Sequence, residues 1–267
     1  MKRVPEALFF LGLAAFLLLP VFWVVSTSLK PSADIYRLPV EWVPRPASLE
    51  HYRTVLADPR VGRYLSNSLV VALLSSLLAT FLGALAAFGV GRHRFAGRSF
   101  LLGALLLVHL CPNLVSMAAL YRMASSLNLL NSLLGLVLIQ AAGLSLAVWL
   151  LTGYFESLPG SYEEMARTDG CGTLGVFFRV VLPLRIRGVL VAALFLFAQS
   201  WKSFFLPLLL VTREDKMTLP LGIYQFAGEH GFALGKVCAL SIISLLPPLI
   251  LLVVLHRLGW ESLRARG

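Results

Sequence analysis

The stretch SYEEMARTDGCGTLGVFFRVVLP, residues 161–183, is a polar insert between two apolar segments of a chain that is otherwise mostly hydrophobic. Its first half predicts a short helix, because Ser161 followed three residues later by Glu164 has the spacing of a capping box. Glu163 and Arg167 stand four residues apart in the order that favours an ion pair along a helix, worth about 0.2 to 0.5 kcal/mol. The insert therefore begins with a charged helix.

The second half of the insert predicts a bend followed by another helix. Gly170 and Gly172 allow the chain to turn with positive φ, and Thr173 can cap the helix that follows. Pro183 is expected to end that helix near Leu182. Four apolar residues have the spacing of one helix face: Leu174, Phe177, Phe178 and Val181.

Composition places the rest of the chain in a membrane. Hydrophobic residues make up 58% of the 267 residues, charged residues only 13%, and the mean hydropathy is +0.82. A chain of this size with so little polar surface cannot cover a water-soluble globule. Apolar runs that can supply the roughly 20 residues of a spanning helix predict one transmembrane domain over residues 1–267. Its six spans are 7–28, 66–90, 99–121, 133–155, 188–211 and 236–256.

Charges at the ends of the spans predict the orientation. An even number of spans puts both termini on one side, and the turn 91–98 concentrates Arg92, Arg94 and Arg98, which favours the cytoplasm for that side. The net charge of +10 is explained by headgroup anchoring, and we expect no nucleic-acid partner because no basic face with groove-reading elements is visible. A cleaved secretory signal is the alternative for the first span, although residues 24–28 lack a small-x-small cleavage site.

Two other segments have predictable structures. The proline-rich loop 30–63 favours extended and turn conformations, with a short helix near 48–57. Small residues in span 66–90, among them Gly83 and Ala87, predict close helix contacts inside a bundle.

The sequence contains no enzyme motif. Nothing fits a P-loop, HExxH or Gly-x-Ser-x-Gly pattern, and the His and Cys residues lack metal-site spacing, so we expect no enzyme activity, metal or cofactor in this chain. All 13 Asp and Glu lie outside the predicted spans, whereas carriers driven by ion gradients usually need an ionisable group at mid-membrane. Energy for active transport must then arrive through a partner.

The insert, with its flanks at 156–187, is the only cytoplasmic segment large enough to receive such a partner. A short helix with an apolar face and a carboxylate head suits a groove on another protein. The alternative is an amphipathic helix on the membrane surface, but its acidic head would be repelled by anionic lipid. We therefore favour protein docking.

The insert resembles the cytoplasmic loop of bacterial ABC importer permeases, whose pattern is Glu-Ala-Ala, three residues, Gly, nine residues, Ile, any residue, Leu-Pro. Val180 replaces the Ile and Met165 the first Ala, and five residues fall in register: Glu164, Ala166, Gly170, Leu182 and Pro183. Arg-Thr-Asp-Gly at 167–170 looks like carbohydrate importers of the maltose and glycerol-phosphate class. Further matches extend the likeness over nearly the whole chain, at 26–30, 67–69, 94–98 and 219–222.

This resemblance implies an all-α ABC importer permease fold with six transmembrane helices and cytoplasmic coupling helices that dock in a cleft of an ATPase. The implied coupling residues are Glu163, Glu164, Ala166, Arg167, Asp169, Gly170, Phe177 and Pro183. Family members combine two related permease subunits, two ATPase subunits that use ATP and Mg, and an extracytoplasmic solute-binding protein.

By this resemblance the chain would be half of a pore in the inner membrane of a bacterium. It would import a sugar or sugar derivative by alternating access. The alternatives are a permease for polyamines or other organic ions and, from a different class, a passive channel or membrane scaffold.

Span 188–211 contains Lys202, where the resembling class usually has Asn. Placing a Lys at the bilayer centre costs an insertion free energy of about 2.5 to 3.5 kcal/mol. We therefore predict that Lys202 faces a water-filled pore. Gln199 lies one turn earlier on the same face, and Trp201 and Phe205 would offer aromatic surface to a sugar ring. The hypothesis is a path that favours anionic or strongly hydroxylated solutes. The alternative is a lysine that snorkels to backbone carbonyls.

Span 99–121 contains Pro112, which removes a backbone donor and predicts a kink. Broken helices at mid-depth commonly line cavities, although a kink can also serve packing alone. Asn113, next to this kink, is the remaining candidate for the substrate path.

Overall fold

The computed structural model describes residues 3–93, 95–110, 113–229 and 233–264. Throughout these ranges the regular structure is helical and no strand is present, which confirms the all-α prediction. The helices, in chain order, are α1 (Arg3–Ser28), α2 (Glu50–Ala57), α3 (Pro59–Arg92), α4 (Arg98–Leu110), α5 (Asn113–Ser126), α6 (Leu133–Ala141), α7 (Leu144–Glu156), α8 (Ser161–Thr168), α9 (Thr173–Val176), a π-helical segment (Phe177–Val181), α10 (Leu182–Leu184), α11 (Ile186–Trp201), α12 (Phe205–Leu210), a 3₁₀ turn (Glu214–Lys216), α13 (Leu219–Glu229) and α14 (Leu234–Arg264).

The predicted spans all fall on helices, but the helices are not all continuous. Span 133–155 is divided between α6 and α7, and span 188–211 between α11 and α12. Span 99–121 falls on α4 and α5, and the kink predicted at Pro112 lies outside the described residues.

Within the described part of the chain, 4 helices are long and apolar enough to cross a membrane: Phe9–Ser28, Pro59–Arg92, Leu133–Glu156 and Leu234–Leu255. A fifth candidate joins Thr173–Leu184 to Ile186–Trp201 across a bend of 82°. The count of six spans and the single domain over 1–267 stay predictions.

The chain divides into two compact units. The first contains residues 1–65 and 218–246, and the second contains residues 66–217 and 247–267. In the first unit, residues of the loop after α1 form hydrogen bonds with the end of that helix and the residues just after it. The Ser26 hydroxyl donates to the Trp42 carbonyl over 2.5 Å, and the His51 ring nitrogen lies 2.9 Å from the Lys30 carbonyl oxygen. Helix α2 confirms the short helix predicted in this loop.

The second unit packs α3 closely against α7. A Cβ added to Gly83 would lie 2.5 Å from the Cβ of Ala147, so only glycine permits this approach. Ala84 and Ala87 are buried nearby, which confirms the prediction that small residues bring this span against its neighbours. The core continues through α3, α7, α8 and the π-helical segment, with Phe88, Phe155 and Phe177 among its members.

Candidate functional site

Helix α8 begins without a side-chain cap. Gly160 precedes it in helical conformation, and the carbonyl of Gly160 accepts from the amides of both Glu163 and Glu164, over 2.9 and 3.0 Å. The predicted capping box between Ser161 and Glu164 is therefore wrong. Because Gly160 is already helical, Ser161 is the first residue of the helix and not its cap.

Helix α8 ends in a Schellman motif. Gly170 adopts φ +83°, its amide donates to the Arg167 carbonyl, and the Cys171 amide donates to the Ala166 carbonyl, each over 3.0 Å. The bend predicted at Gly170 is confirmed. Gly172 is extended instead, with φ −69° and ψ 170°, and Thr173 makes no cap at the start of α9.

The second helix of the insert is not a regular α-helix. It widens into a π-helical segment, in which an added residue per turn shifts the side chains around the axis. Four apolar residues of this helix were predicted to share one face, but Phe177 and Val181 are buried together with Val176, whereas Leu174 and Phe178 are exposed. The predicted face was wrong in these positions because it assumed α-helical spacing throughout.

The helical run also continues past its predicted end. Pro183 lies inside the run, which ends at Leu184, and Arg185 (φ −112°) separates it from α11. The guanidinium of Arg185 stacks 4.9 Å from the centre of the Tyr154 ring. A Cβ on Gly188 would overlap that ring, so glycine is required where α11 passes it.

The coupling residues implied by the family resemblance divide between two faces. Glu164, Arg167, Asp169, Gly170 and Pro183 are exposed, whereas Glu163, Ala166 and Phe177 are buried inside the second unit. Exposed apolar side chains accompany the first group: Tyr162, Met165, Leu174 and Phe178. The insert therefore offers an outer surface of apolar and charged groups, and its inner residues hold it to the rest of the unit.

Aromatic packing fixes the inner side of the insert. The centre of the Phe177 ring lies 5.3 Å from that of Phe88 on α3 and 6.4 Å from that of Phe155 on α7. Phe178 stacks on Phe81 of α3 at 6.4 Å, although it remains partly exposed. These ring pairs connect the insert directly to the end of α3.

A buried ion pair joins the same elements. The Arg92 Nε lies 2.5 Å from the Glu163 Oε1, without the alignment of a hydrogen bond, and the side chains are 18% and 10% exposed. The Arg92 Nη2 also donates to the Leu158 carbonyl over 3.1 Å. The predicted pair between Glu163 and Arg167 is thus replaced by a pair with the end of α3.

A second arginine of the turn 91–98 has a similar role. The Arg98 guanidinium pairs with Glu156 at the end of α7, and its Nε donates to the Val90 carbonyl over 3.0 Å. Sequence reasoning used these arginines only as signals of orientation. The acidic residues that flank and begin the insert were the available hint that some arginines of the turn have partners inside the protein.

Lys202 lies at a break between helices. It caps the C-terminal end of α11, its amide donates to the Ala198 carbonyl over 3.2 Å, and its side chain is exposed. The carbonyl end of a helix favours a cation. The lysine is therefore next to unwound backbone, and not in the middle of a continuous helix as its position in the sequence suggested.

The other predicted path residues differ in exposure. Trp201 is 5% exposed and its ring stacks on Phe197, so in this structure it packs into the protein. Phe205 is exposed and Gln199 is half-buried. The side chain of Asn113 lies outside the described residues. The path itself stays a prediction.

Sequence reasoning missed a polar chain beside this break. The Ser75 hydroxyl on α3 donates to the Ser200 hydroxyl over 2.9 Å, and Ser200 donates to the Gln140 Oε1. Gln140 is next to the break between α6 and α7, and its Nε2 is buried without a hydrogen-bond partner in the described structure. Within the described residues, no group of three His, Cys, Asp or Glu is placed to hold a metal ion.

Known proteins resemble most of the chain. The model of the family "binding-protein-dependent transport system inner membrane component" matches residues 79–259. The sulfoquinovosyl glycerol transport system permease protein of Agrobacterium fabrum is 32% identical over 94% of this chain and 88% of the relative. A diacetylchitobiose uptake system permease protein of Streptomyces coelicolor is 31% identical over 98% of this chain and 94% of the relative. The trehalose transport system permease protein of Mycobacterium tuberculosis is 29% identical over 90% and 88%.

Solved structures share the fold. A chain of a bacterial ABC transporter involved in the import of the acidic polysaccharide alginate superposes with a TM-score of 0.79 at 21% identity, covering 96% of this chain and 95% of the other. A structure of the alginate transporter in complex with an alginate pentasaccharide-bound periplasmic protein gives a TM-score of 0.72 at 16% identity, covering 98% and 96%.

Proposed function

Because the chain belongs to the family of binding-protein-dependent transport system inner membrane components, we propose that it is the permease subunit of an ATP-driven importer of a sugar or sugar derivative. The support for a sugar is that relatives matching most of the chain are permeases for a sulfoquinovosyl glycerol, a chitobiose derivative and trehalose. The solute crosses by alternating access, in a bacterial inner membrane, with both termini of the chain in the cytoplasm.

The structural observation that carries the proposal is the two-faced insert. Its outer residues, among them Glu164 and Met165, are exposed while its inner residues are built into the core of the second unit. An exposed helix of mixed apolar and acidic character suits a groove on a partner protein. We assign this outer surface to a cytoplasmic ATPase, which supplies the ATP chemistry with Mg.

The remaining partners follow from the family. Binding-protein dependence calls for an extracytoplasmic solute-binding protein, and one structural neighbour was solved with a periplasmic protein bound. We propose a second homologous permease subunit and two ATPase subunits to complete the transporter. Exposed apolar side chains on α1 and α14 provide surface for lipid and for the second permease.

Reconstitution tests this function directly. Vesicles containing this chain, its second permease, the ATPases and the binding protein should accumulate a sugar only when ATP is supplied. Equilibration without ATP would identify a passive channel, and accumulation of a polyamine in place of sugars would identify the organic-ion alternative.

A charge reversal then tests the docking surface. Glu164→Lys should lower ATP-driven uptake by about tenfold or more, equivalent to about 1.4 kcal/mol of lost docking energy. Glu41→Lys makes the same charge change at an exposed position in the loop after α1 and serves as the control. Uptake that is normal in Glu164→Lys would remove the assignment of this surface to the ATPase.

A further inference from the structure

The ion pair of Arg92 and Glu163, called the latch below, is placed where two long elements meet. Arg92 is the last residue of α3, and Glu163 is in the first turn of α8. Arg92 also holds the Leu158 carbonyl in the turn between α7 and α8. A single guanidinium thus connects the end of α3, the turn after α7 and the insert.

The surroundings of the latch show what it adds. Apolar contacts between the insert and α3 lie beside the latch, with Phe177 against Phe88 and Ala166 in the same core. Apolar contact is non-directional, so it permits small sliding and rotation. A buried ion pair gains little net stability over an apolar pair of similar volume, but the attraction between its two charges depends on where each group lies. The latch therefore sets the register between α8 and α3.

Helix α3 extends from the latch to the polar chain at the helix breaks. Ser75, which donates to Ser200, lies 17 residues before Arg92 on the same helix. At 1.5 Å per residue the two positions are about 25 Å apart along the axis. A rotation of α3 imposed at Arg92 consequently changes the position of Ser75 relative to Gln140, beside one helix break, and to Lys202, at the other.

We propose that Arg92 and Glu163 form a positioning pair that converts movement of α8 into movement of α3, so that each ATPase stroke is transmitted to the helix breaks. This inference rests on the proposed function. The outer face of α8, with Glu164 and Met165, receives the stroke, and the inner face passes it on through Glu163. In this proposal the pair acts through α3 and does not itself bind nucleotide or solute.

The test measures ATP hydrolysis and solute uptake together in the full reconstituted transporter. The double variant Arg92→Met/Glu163→Leu removes both charges, leaves no unpaired buried charge and is expected to fold. Hydrolysis should continue while solute transported per ATP falls by about tenfold, within the range of measured coupling effects. The charge exchange Arg92→Glu/Glu163→Arg should recover most of that ratio.

A matched pair controls for general effects of arginine and carboxylate changes. Arg213 and Asp215 form an exposed pair in the same unit, with Nε and Oδ1 3.0 Å apart. The exchange Arg213→Asp/Asp215→Arg should leave the transport-to-hydrolysis ratio as in the wild type.

Several results would overturn the proposal. A wild-type ratio in Arg92→Met/Glu163→Leu would show that the apolar contact alone transmits the stroke. An equal loss of hydrolysis and uptake, or an exchange variant that recovers nothing, would mark the latch as only structural. Loss of assembly in both double variants would also mark it as structural, since assembly is then what the pair supports. A wild-type transporter that accumulates no sugar would instead refute the proposed function, which is a separate outcome.

Discussion

The two ends of the α3 segment within the second unit are built in opposite ways. At its final residue, charged and aromatic groups are buried and packed, with Arg92 against Glu163 and Phe88 against Phe177. Near Ser75, the neighbouring helices are broken, Lys202 is exposed, and the amide nitrogen of Gln140 has no partner within the described chain. The difference indicates that the end near Arg92 holds one arrangement, whereas the end near Ser75 keeps polar groups available to change partners.

The largest expected effect comes from a substitution in the aromatic packing at the end of α3 near Arg92. Phe177→Ala should lower the free energy of unfolding by about 3 to 5 kcal/mol, because the ring is buried between α3 and α7. Phe178→Ala is the matched control, since the two neighbouring rings are 1% and 44% exposed. Thermal unfolding in detergent measures both variants. Equal losses would contradict the inward placement of Phe177.

The next effect concerns the charges at the same end. Glu163→Ala leaves Arg92 buried without its carboxylate and should cost about 3 kcal/mol of stability. Glu164→Ala changes an exposed neighbour and should stay within about 0.5 kcal/mol. Chemical unfolding of the two purified variants compares them. A stable Glu163→Ala protein would place that carboxylate in water.

The region of the helix breaks near Ser75 is tested by measuring which solutes are transported. If Lys202 faces the solute path, Lys202→Asn should reduce uptake of anionic sugars relative to neutral ones by about tenfold, since a hydrogen bond to a charged group is worth about 1.5 to 3 kcal/mol. Lys216→Asn, in the 3₁₀ turn, removes a lysine elsewhere in the same unit and is the control. An unchanged preference would favour a lysine that only binds helix carbonyls.

Backbone conformation at the bend gives a smaller effect. Gly170→Ala places a side chain at φ +83° and should cost about 1 to 2 kcal/mol. Gly172→Ala is the control, because Gly172 has φ −69° with open space around it, and should change stability by less than about 0.5 kcal/mol. Melting temperatures of the two variants decide whether the bend depends on one glycine.

The smallest effect belongs to the exposed charge pair of Arg213 and Asp215. The hydrogen bond from Arg213 lowers the pKa of Asp215. A depressed carboxyl pKa contributes stability above the unfolded pKa of about 4, and this contribution is lost as the pH falls through the folded value. The melting temperature of the wild type should therefore approach that of Asp215→Asn in acid. A difference that persists below the folded pKa would contradict the assignment.

Local features of the insert could be predicted from the sequence, and tertiary ones could not. The bend at Gly170 follows from a residue that tolerates positive φ, so it was predictable. The partner of Glu163 was not, because Arg92 is distant along the chain and a nearer arginine had suitable helical spacing. The common face predicted for the second helix was wrong, because no residue type indicates a π-helical turn.

The same distinction applies to the spans. Apolar runs predicted where helices occur, since a helix that crosses the lipid needs a long run of apolar residues. The breaks after Ala141 and Trp201 were not predicted, because neither has a proline, and Lys202 alone interrupts the uncharged residues around the second break. The hydrogen bond from Ser75 to Ser200 depends on how α3 meets α11, which no local pattern specifies.

The widened turn at Phe177–Val181 gives the insert a spare residue. A widened turn takes up one residue more than an α-helical turn, so deleting one position there would rewind it as ordinary α-helix and leave the parts on either side in nearly the same orientation. A change of length in this turn is therefore a way for the surface that meets the ATPase to change while the membrane helices stay as they are.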